Sequence, residues 1–319
     1  MGGVMRVAAV FPGQGSQGVG MGCEVAERSR AARSIFDRAA AVLGYDLLAL
    51  QRDGPEEKLR ETEFSQPAIF TTNLALYDAA SNGLQPIATA GHSFAELCSL
   101  VIARALSFEE ALRIVAERGK AMQAAAQRVR GGMSAILGLE AAQVRRVLER
   151  TRGAGRVALA NFNSPTQIVI SGELDAVQAA GQAMLDAGAK RIVPLNVSGA
   201  WHSELMEPAV GPLAAVVESS HFAIPAFHVI SNVDGRPYRD VETIKSNLIR
   251  SVVDEVRWHD TAVRLLTYRP ELIVEFGASG VLSALFRRMD GAPPAMVVSD
   301  LAGIEKFRSA IEKPAEASA

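Results

Sequence analysis

Residues 87–106 read IATAGHSFAELCSLVIARAL. The stretch opens on small and β-branched residues, turns at Gly91-His92-Ser93 and continues in a helical pattern from Phe94, so a strand feeds a helix through a sharp corner that carries Ser93. The same alternation continues outward on both sides: VAAVF at 7–11, a helix around 23–40, helices through 94–127, then HVISNV at 228–233, LIVEFG at 272–277 and AMVVSD at 295–300. The expected fold class is therefore α/β, a mostly parallel sheet covered by helices. The stretch 131–198 departs from that rhythm. MSAILGL, AAQVRRVLERT, RVALANF, TQIVISG, LDAVQAAGQAMLDAG and KRIVPLNV run strand, helix, strand, strand, helix, strand, which is the ferredoxin-like order and reads as an inserted subdomain. The expected division is a large domain of residues 1–130 and 199–319 with a small subdomain of residues 131–198, and the terminal PAEASA reads as a frayed tail.

The 319 residues are 49% hydrophobic and 21% charged, which supports a large core. Lys plus Arg is 33 against 35 for Asp plus Glu, a formal charge of -2, so no surplus of cations exists to neutralise a phosphate backbone and nucleic acid is not an expected partner. Cys23 and Cys98 are too few for a disulfide framework and wrongly spaced for zinc, which points to a reducing compartment. No run approaches the ~18 apolar residues of a membrane span, and the opening MGGVMRVAAVF leads straight into a glycine loop instead of a cleavage region. A cytoplasmic protein without a membrane partner is expected; oligomeric state stays open, a monomer included.

Three features can carry chemistry. Gly13-Gln14-Gly15-Ser16-Gln17-Gly18 follows the first strand and fits G-x-G-x-x-G, which admits a dinucleotide loop, a plain tight turn or an oxyanion-binding loop. Against the dinucleotide, the acidic residue about twenty positions on, Asp37, falls in the helical pattern RSIFDRAAAVL. Ser93, on its turn at a helix N-terminus, is a nucleophile-elbow candidate: the helix dipole and the free N–H of Phe94 point to where negative charge develops when a serine oxygen attacks a carbonyl. A helix-capping serine has the same local pattern. A serine needs a base, and among His92, His202, His221, His228 and His259 the adjacent His92 points to the opposite face of an extended segment, whereas His202 in SGAWHSELM follows the VPLNV strand, at a strand's carboxyl end where open α/β sheets build sites. The third feature is Arg118. In ALRIVAERGKAM, capped by Ser107 and Glu110, it falls on the apolar face with Ala111, Ile114, Val115 and Met122. A buried guanidinium needs a partner, which is an internal acid, a snorkelling route to water, or the carboxylate of a substrate.

Together these segments resemble the malonyl-CoA:acyl carrier protein transacylases of fatty acid and polyketide synthesis. The likeness covers nearly the whole chain: FPGQGSQGVGMG, FSQPAIF, GHSFAELCSLVIARALSFEEALRIVAERGKAM, NFNSPTQIVISG, SGAWHSELM, VISNVDG and VEFGASGVLSALFRRM occur in the family's order. The resemblance implies an α/β-hydrolase-like large domain with a ferredoxin-like insertion, a malonyl group carried from malonyl-CoA to the phosphopantetheine thiol of an acyl carrier protein through an acyl-serine, and no metal or redox cofactor. It implies Ser93 as nucleophile, His202 as base, Arg118 as the malonyl carboxylate's partner, and the N–H groups of Gln14 and Phe94 as oxyanion hole. It further implies Gln66 and Asn163 as pocket residues and a backbone carbonyl, aligned to Ser251 in RSVVDEVRW, orienting the histidine. Two departures stand out. The family's GHSLGE reads GHSFAE here, putting the Ala95 methyl where glycine permits tight packing, and Trp201 precedes the histidine where malonyl-selective members commonly have Phe. The larger Trp201 wall is expected to disfavour α-branched acyl groups. An editing acyl hydrolase and an acyltransferase for another acyl group use the same scaffold; a non-catalytic dinucleotide-binding or carrier-docking module is the reading from another class. Lys190, Arg191, Arg287 and Arg288 are candidates for a basic patch facing an acidic carrier protein, or ordinary solvated surface.

Overall fold

The structure, a computed structural model, describes residues 5–197 and 199–312; the tail PAEASA lies outside the described residues. Its strands are β1 (Val7–Phe11), β2 (Ala88–Gly91), β3 (Gly131–Leu137), β4 (Val157–Ser164), β5 (Gln167–Glu173), β6 (Arg191–Pro194), β7 (His228–Val229), β8 (Leu272–Phe276) and β9 (Ala295–Val298). They form two sheets. The first has the order β7-β2-β1-β8-β9 with every neighbouring pair parallel. Parallel strands are covered on both faces and therefore read as unbroken apolar runs. VAAVF obeys this: Val7, Ala9 and Phe11 enter the core on one side of the sheet, Ala8 and Val10 the core on the other.

The second sheet has the order β4-β5-β3-β6, all neighbours antiparallel. With helices Ala141–Arg150 and Leu174–Asp186 on one face, its connectivity is ferredoxin-like, as the order of segments predicts. Ile136, Ile168 and Ile170 pack under those helices with Val144, Val177 and Met184. Met133, Ala135 and Val169, one residue out of phase, face the main core instead. The period of two thus joins the small sheet to the large domain. A backbone ladder completes the joint, with the Phe162 N–H donating to the Val256 carbonyl and the Val256 N–H to that of Ala160, each 2.8 Å.

This topology decides where the site can be. Strands β1 and β2 are parallel neighbours with Phe11 opposite Gly91, so the loops leaving their carboxyl ends emerge side by side, tied by the His92 N–H on the Phe11 carbonyl at 2.9 Å. The chain then reverses tightly through Ser93–Ala95 into helix Glu96–Ile102. Ser93 has φ 56°, the left-handed region that costs a non-glycine residue about 1–3 kcal/mol. The close approach in this corner is at Gly91: a Cβ there would stand 2.0 Å from the Ala95 carbonyl oxygen. Ala95 itself has φ -66° and is buried without needing glycine, so the methyl that breaks the family's motif is accommodated. A second close approach, of Gly131 in β3 to the backbone of Ala200, brings the segment before His202 against the sheet.

The contrast between the two positions is testable by chemical denaturation. Ala95→Gly is expected to cost only about 0.5–1 kcal/mol, the backbone entropy of glycine, whereas Gly91→Ala is expected to cost about 1–3 kcal/mol or more, the penalty of overpacking. A Gly91→Ala protein as stable as the parent would contradict the close approach.

Candidate active site

Ser93, His202 and Arg118, far apart in sequence, converge. The Ser93 hydroxyl lies 2.9 Å from His202 Nε2, and Arg118 Nη2 donates to the same Oγ at 3.2 Å. All three are buried, with 8, 4 and 2% of their surfaces exposed. Each comes from a different local device. Ser93 stands on the left-handed turn just described. His202 also has a left-handed backbone, φ 59°, fixed by Ser203, whose hydroxyl donates to the Ala200 carbonyl at 2.7 Å and accepts the Leu205 N–H at 3.3 Å. Arg118 projects from the buried face of helix Phe108–Ala126, beside Val115 and Met122, where the sequence pattern puts it.

The hydrogen bonds fix the tautomer of His202. Its Nδ1 lies 3.1 Å from the Asp254 carbonyl, which can only accept, so Nδ1 carries the proton and Nε2 offers its lone pair to the Ser93 hydroxyl. Ser251 was the expected orienting residue, and its carbonyl shares the ring with that of Asp254. Past the end of helix Val241–Arg250 the chain keeps turning, the Val253 and Asp254 N–H groups both returning to the Arg250 carbonyl, so the carbonyls of Ser251 and Asp254 lie on one face and both face the ring, Asp254 at 3.1 Å. Burial, reinforced by the Arg118 cation and by His92, pulls the His202 pKa down to about 3.

Of the partners its sequence left open to Arg118, the structure shows among the described residues no internal acid and no route to water, the residue being 2% exposed. Among the described residues no carboxylate lies within 4.0 Å of it. Its Nη1 donates to Gln66 Oε1 at 3.0 Å, its Nη2 to Ser93, and its buried Nε has no partner. Burial draws its pKa down to about 9, against the attraction of the more distant Glu96, so it is a cation at neutral pH held only by uncharged acceptors. Gln66, on helix Thr62–Ser81, is thereby part of the cluster.

Asn163 and Trp201 sit one step away. Asn163 Oδ1 is 3.2 Å from Nε2 of His92, the ring beside Trp258, so Asn163 ties strand β4 to the turn and makes no hydrogen bond to Ser93, His202 or Arg118. Trp201 is buried next to the base with its ring folded over Gly199 and its indole N–H unpartnered. The Gln14 and Phe94 N–H groups donate to no protein acceptor among the described residues. The Gln14 loop is pinned by its flanks, with Asn73 Nδ2 on the Pro12 carbonyl at 3.0 Å and Gln14 Nε2 on Thr62 Oγ1 at 3.2 Å. It does not open a helix, since the next one, Cys23–Arg28, begins only after Gly22. Asp37 pairs with Arg33 on a helix surface. Neither feature of a dinucleotide site is present. Asp254 went unassigned in the sequence because a main-chain acceptor leaves no mark on residue type; so did Asn232, whose Nδ2 reaches the Ser93 carbonyl at 3.2 Å, although VISNVDG is one of the family segments.

The depressed pKa of His202 gives a sign that can be checked. Because its environment disfavours the imidazolium, the ring is expected to stay neutral as pH falls through 6.5, the usual histidine midpoint, and to protonate only near 3. In NMR of histidine-labelled protein, with His202 assigned by its loss in His202→Gln, the ring resonance should hold its neutral shift at pH 5. A midpoint near 6.5 would contradict the buried, cation-flanked environment.

Residues 9–302 match the family described as acyl transferase domain. The malonyl CoA-acyl carrier protein transacylase of Salmonella typhimurium is 40% identical over 286 residues, 89% of this chain and 93% of that protein. The solved malonyl CoA-acyl carrier protein transacylase of Coxiella burnetii superposes with a TM-score of 0.93 at 34% identity, covering 99% of this chain and 100% of that one. A malonyl-transacylase solved in complex with its type II PKS acyl-carrier protein superposes with a TM-score of 0.91 at 38% identity, covering 96% and 99%. With the match running from strand β1 through both sheets and every residue of the Ser93 cluster, the chain belongs to the acyl transferase family and is an acyltransferase.

Proposed function

We propose that this acyltransferase moves a malonyl group from malonyl-CoA to the phosphopantetheine thiol of an acyl carrier protein through a malonyl-Ser93 intermediate. The observation that carries the reading is a buried guanidinium with no acid partner among the described residues, one nitrogen already on the oxygen of a serine that is hydrogen-bonded to a neutral histidine. Such a cation, costly when unpaired, suits a substrate that brings its own carboxylate.

In the first half-reaction the Ser93 proton passes to His202 Nε2 while Oγ attacks the thioester carbonyl. The Nδ1–H stays on the Asp254 carbonyl, which stabilises the imidazolium. The carbonyl oxygen gathers charge toward the N–H groups of Gln14 and Phe94, and collapse expels the CoA sulfur, which takes the proton from Nε2. In the second half the carrier's thiol gives its proton to His202 Nε2 and attacks the malonyl ester, and collapse expels the Ser93 oxygen, which takes that proton back and restores the hydroxyl. A positioned base is typically worth about 10²- to 10⁴-fold and an oxyanion donor about 10²- to 10³-fold. Malonyl binding transfers the Arg118 donors from Gln66 and Ser93 to the carboxylate, which frees the serine oxygen for attack. No metal or redox group is called for; CoA enters as part of the substrate. A cleft of about 780 Å³ beside Asn163 has Lys190 and Arg288 on its lining, with Arg191 and Arg287 exposed close by in sequence, and is the face offered here to the acidic carrier and the CoA phosphates. The two cysteines are unpaired and no helix among the described residues is long and apolar enough to cross a membrane, which supports action in the cytoplasm.

The test is intact mass after exposure to malonyl-CoA, then to holo carrier protein. A malonyl adduct that is lost from Ser93→Ala and discharged onto the carrier is expected; rapid release of free malonate with no carrier dependence would make the protein a hydrolase. In the same assay Arg118→Ala should lose its preference for malonyl over acetyl by roughly 10²- to 10³-fold, the equivalent of ~3–5 kcal/mol for a partner left unpaired. An unchanged preference would remove Arg118 from recognition.

A further inference from the structure

Directly behind the Ser93 turn lies a buried acid that the acyl transfer itself does not use. Glu96, 2% exposed, opens helix Glu96–Ile102. Its Oε2 accepts both the backbone N–H and the Nδ2 of Asn232, each at 2.6 Å, and its Oε1 accepts the Tyr238 hydroxyl. No cation pairs with it among the described residues. A buried carboxylate without a cation is expensive to keep, and three donors on two oxygens match its ionised form rather than an acid or an amide. The Asn232 amide it holds is the one that reaches the Ser93 carbonyl at 3.2 Å. On its other side Tyr238 lies against Ser231 and Asn247, and Asn247 Nδ2 donates to Ser231 Oγ at 3.1 Å. Asn247 belongs to helix Val241–Arg250, and the turn that follows this helix supplies the Asp254 carbonyl that orients His202.

We propose that Glu96 is a positioning residue for acyl transfer: through Asn232 it holds the main chain of Ser93 in its left-handed turn, and through Tyr238 it locks that turn to the helix that aims His202. Nucleophile and base are then joined twice, once by their direct hydrogen bond and once around the back by a closed polar circuit. The circuit answers the strain at Ser93, because its carbonyl is gripped in the orientation that a relaxed backbone would abandon. Burial pushes the Glu96 pKa up to about 7, with Asp234 adding to the rise and the hydrogen bonds from Tyr238 and Asn232 opposing it. The distant charge of Glu96 also steadies Arg118, although none of the Arg118 hydrogen bonds touches it.

The role rests on the acyl-transfer reading, and Glu96→Gln tests it separately. The amide places a donor against the Asn232 or Tyr238 donors and breaks the circuit without removing volume. In single-turnover acylation by malonyl-CoA, the maximal rate is expected to fall about 10- to 100-fold, the effect of a misplaced reacting group. The half-saturating malonyl-CoA concentration should be unchanged or lower and the preference over acetyl-CoA kept, because Arg118 and Gln66 remain in place. Tyr238→Phe, which removes one donor and leaves the charge, should lower the rate in the same direction by about 3- to 10-fold, and it decides the question if Glu96→Gln does not fold. A folded Glu96→Gln protein, or failing that a Tyr238→Phe protein, that acylates at the parent's rate would overturn the positioning role. So would a half-saturating concentration that rises in step with the lost rate while malonyl preference disappears, which would assign Glu96 to the binding pocket. A parent chain that takes no malonyl group would overturn the functional reading and this role with it; a competent parent beside an unimpaired variant overturns this role alone.

Discussion

A positive charge buried with no acid beside it among the described residues is the constraint around which the site is arranged. Arg118 is held by the Gln66 carbonyl oxygen and the Ser93 hydroxyl, both neutral, so much of its charge is left for something else to balance. Its field reaches every group nearby. It helps to keep His202 neutral, so that the ring can accept a proton at all, and it favours a negatively charged neighbour over a neutral one. Glu96, the buried acid whose charge opposes the fall in the Arg118 pKa, is fully occupied by Asn232 and Tyr238 and cannot swing across to quench it. The charge is therefore offset at a distance and left open at close range.

The fold delivers the three side chains by unrelated routes. Ser93 depends on parallel pairing of β1 with β2 and on the missing Cβ at Gly91. His202 depends on the return of the chain from the antiparallel sheet, where Gly131 lets Ala200 approach. Arg118 depends on a long helix whose buried face is otherwise apolar. Two of the three sit on left-handed backbone, a local cost that surrounding hydrogen bonds to Asn232 and within Ser203 hold in place. The small sheet contributes no group of its own to the Ser93 cluster. Its part is to fix the rim, through the Asn163 contact to His92 and the backbone ladder at Val256.

What the sequence made legible follows from what side chains can report. The parallel sheet showed in runs such as VAAVF, apolar on both faces, and the inserted sheet in the spacing of its strands and helices. Arg118 showed because a cation on an apolar helical face breaks the amphipathic pattern. The GQGSQG loop was ambiguous, since glycine spacing reports a tight backbone but not whether a helix follows at once. Ser251 was named for the ring of His202 and Asp254, which shares that ring, was not, because the acceptor is a main-chain carbonyl and any residue carries one. Glu96, Asn232 and Tyr238 were invisible as a group for another reason. Residues 136 and 142 positions apart meet only after the strands are ordered, and no local period encodes that.

The choice of arginine over lysine follows from the same geometry. A lysine ammonium is a compact, strongly hydrated point charge whose pKa falls readily on burial, so at this depth it would tend to neutralise and lose its attraction for an anion. A guanidinium stays charged even when burial draws it down to about 9. Its planar fork also lets one nitrogen rest on Gln66 while another rests on Ser93, 3.0 and 3.2 Å away, without rotating the side chain. Two parallel donors match the two oxygens of a carboxylate, so the exchange of neutral acceptors for an ionic one needs little movement of a side chain already fixed by packing. On the acyl-transfer reading selectivity and catalysis are linked by that economy of motion, because the nitrogen proposed to grip the incoming anion is the one that rests on the Ser93 oxygen.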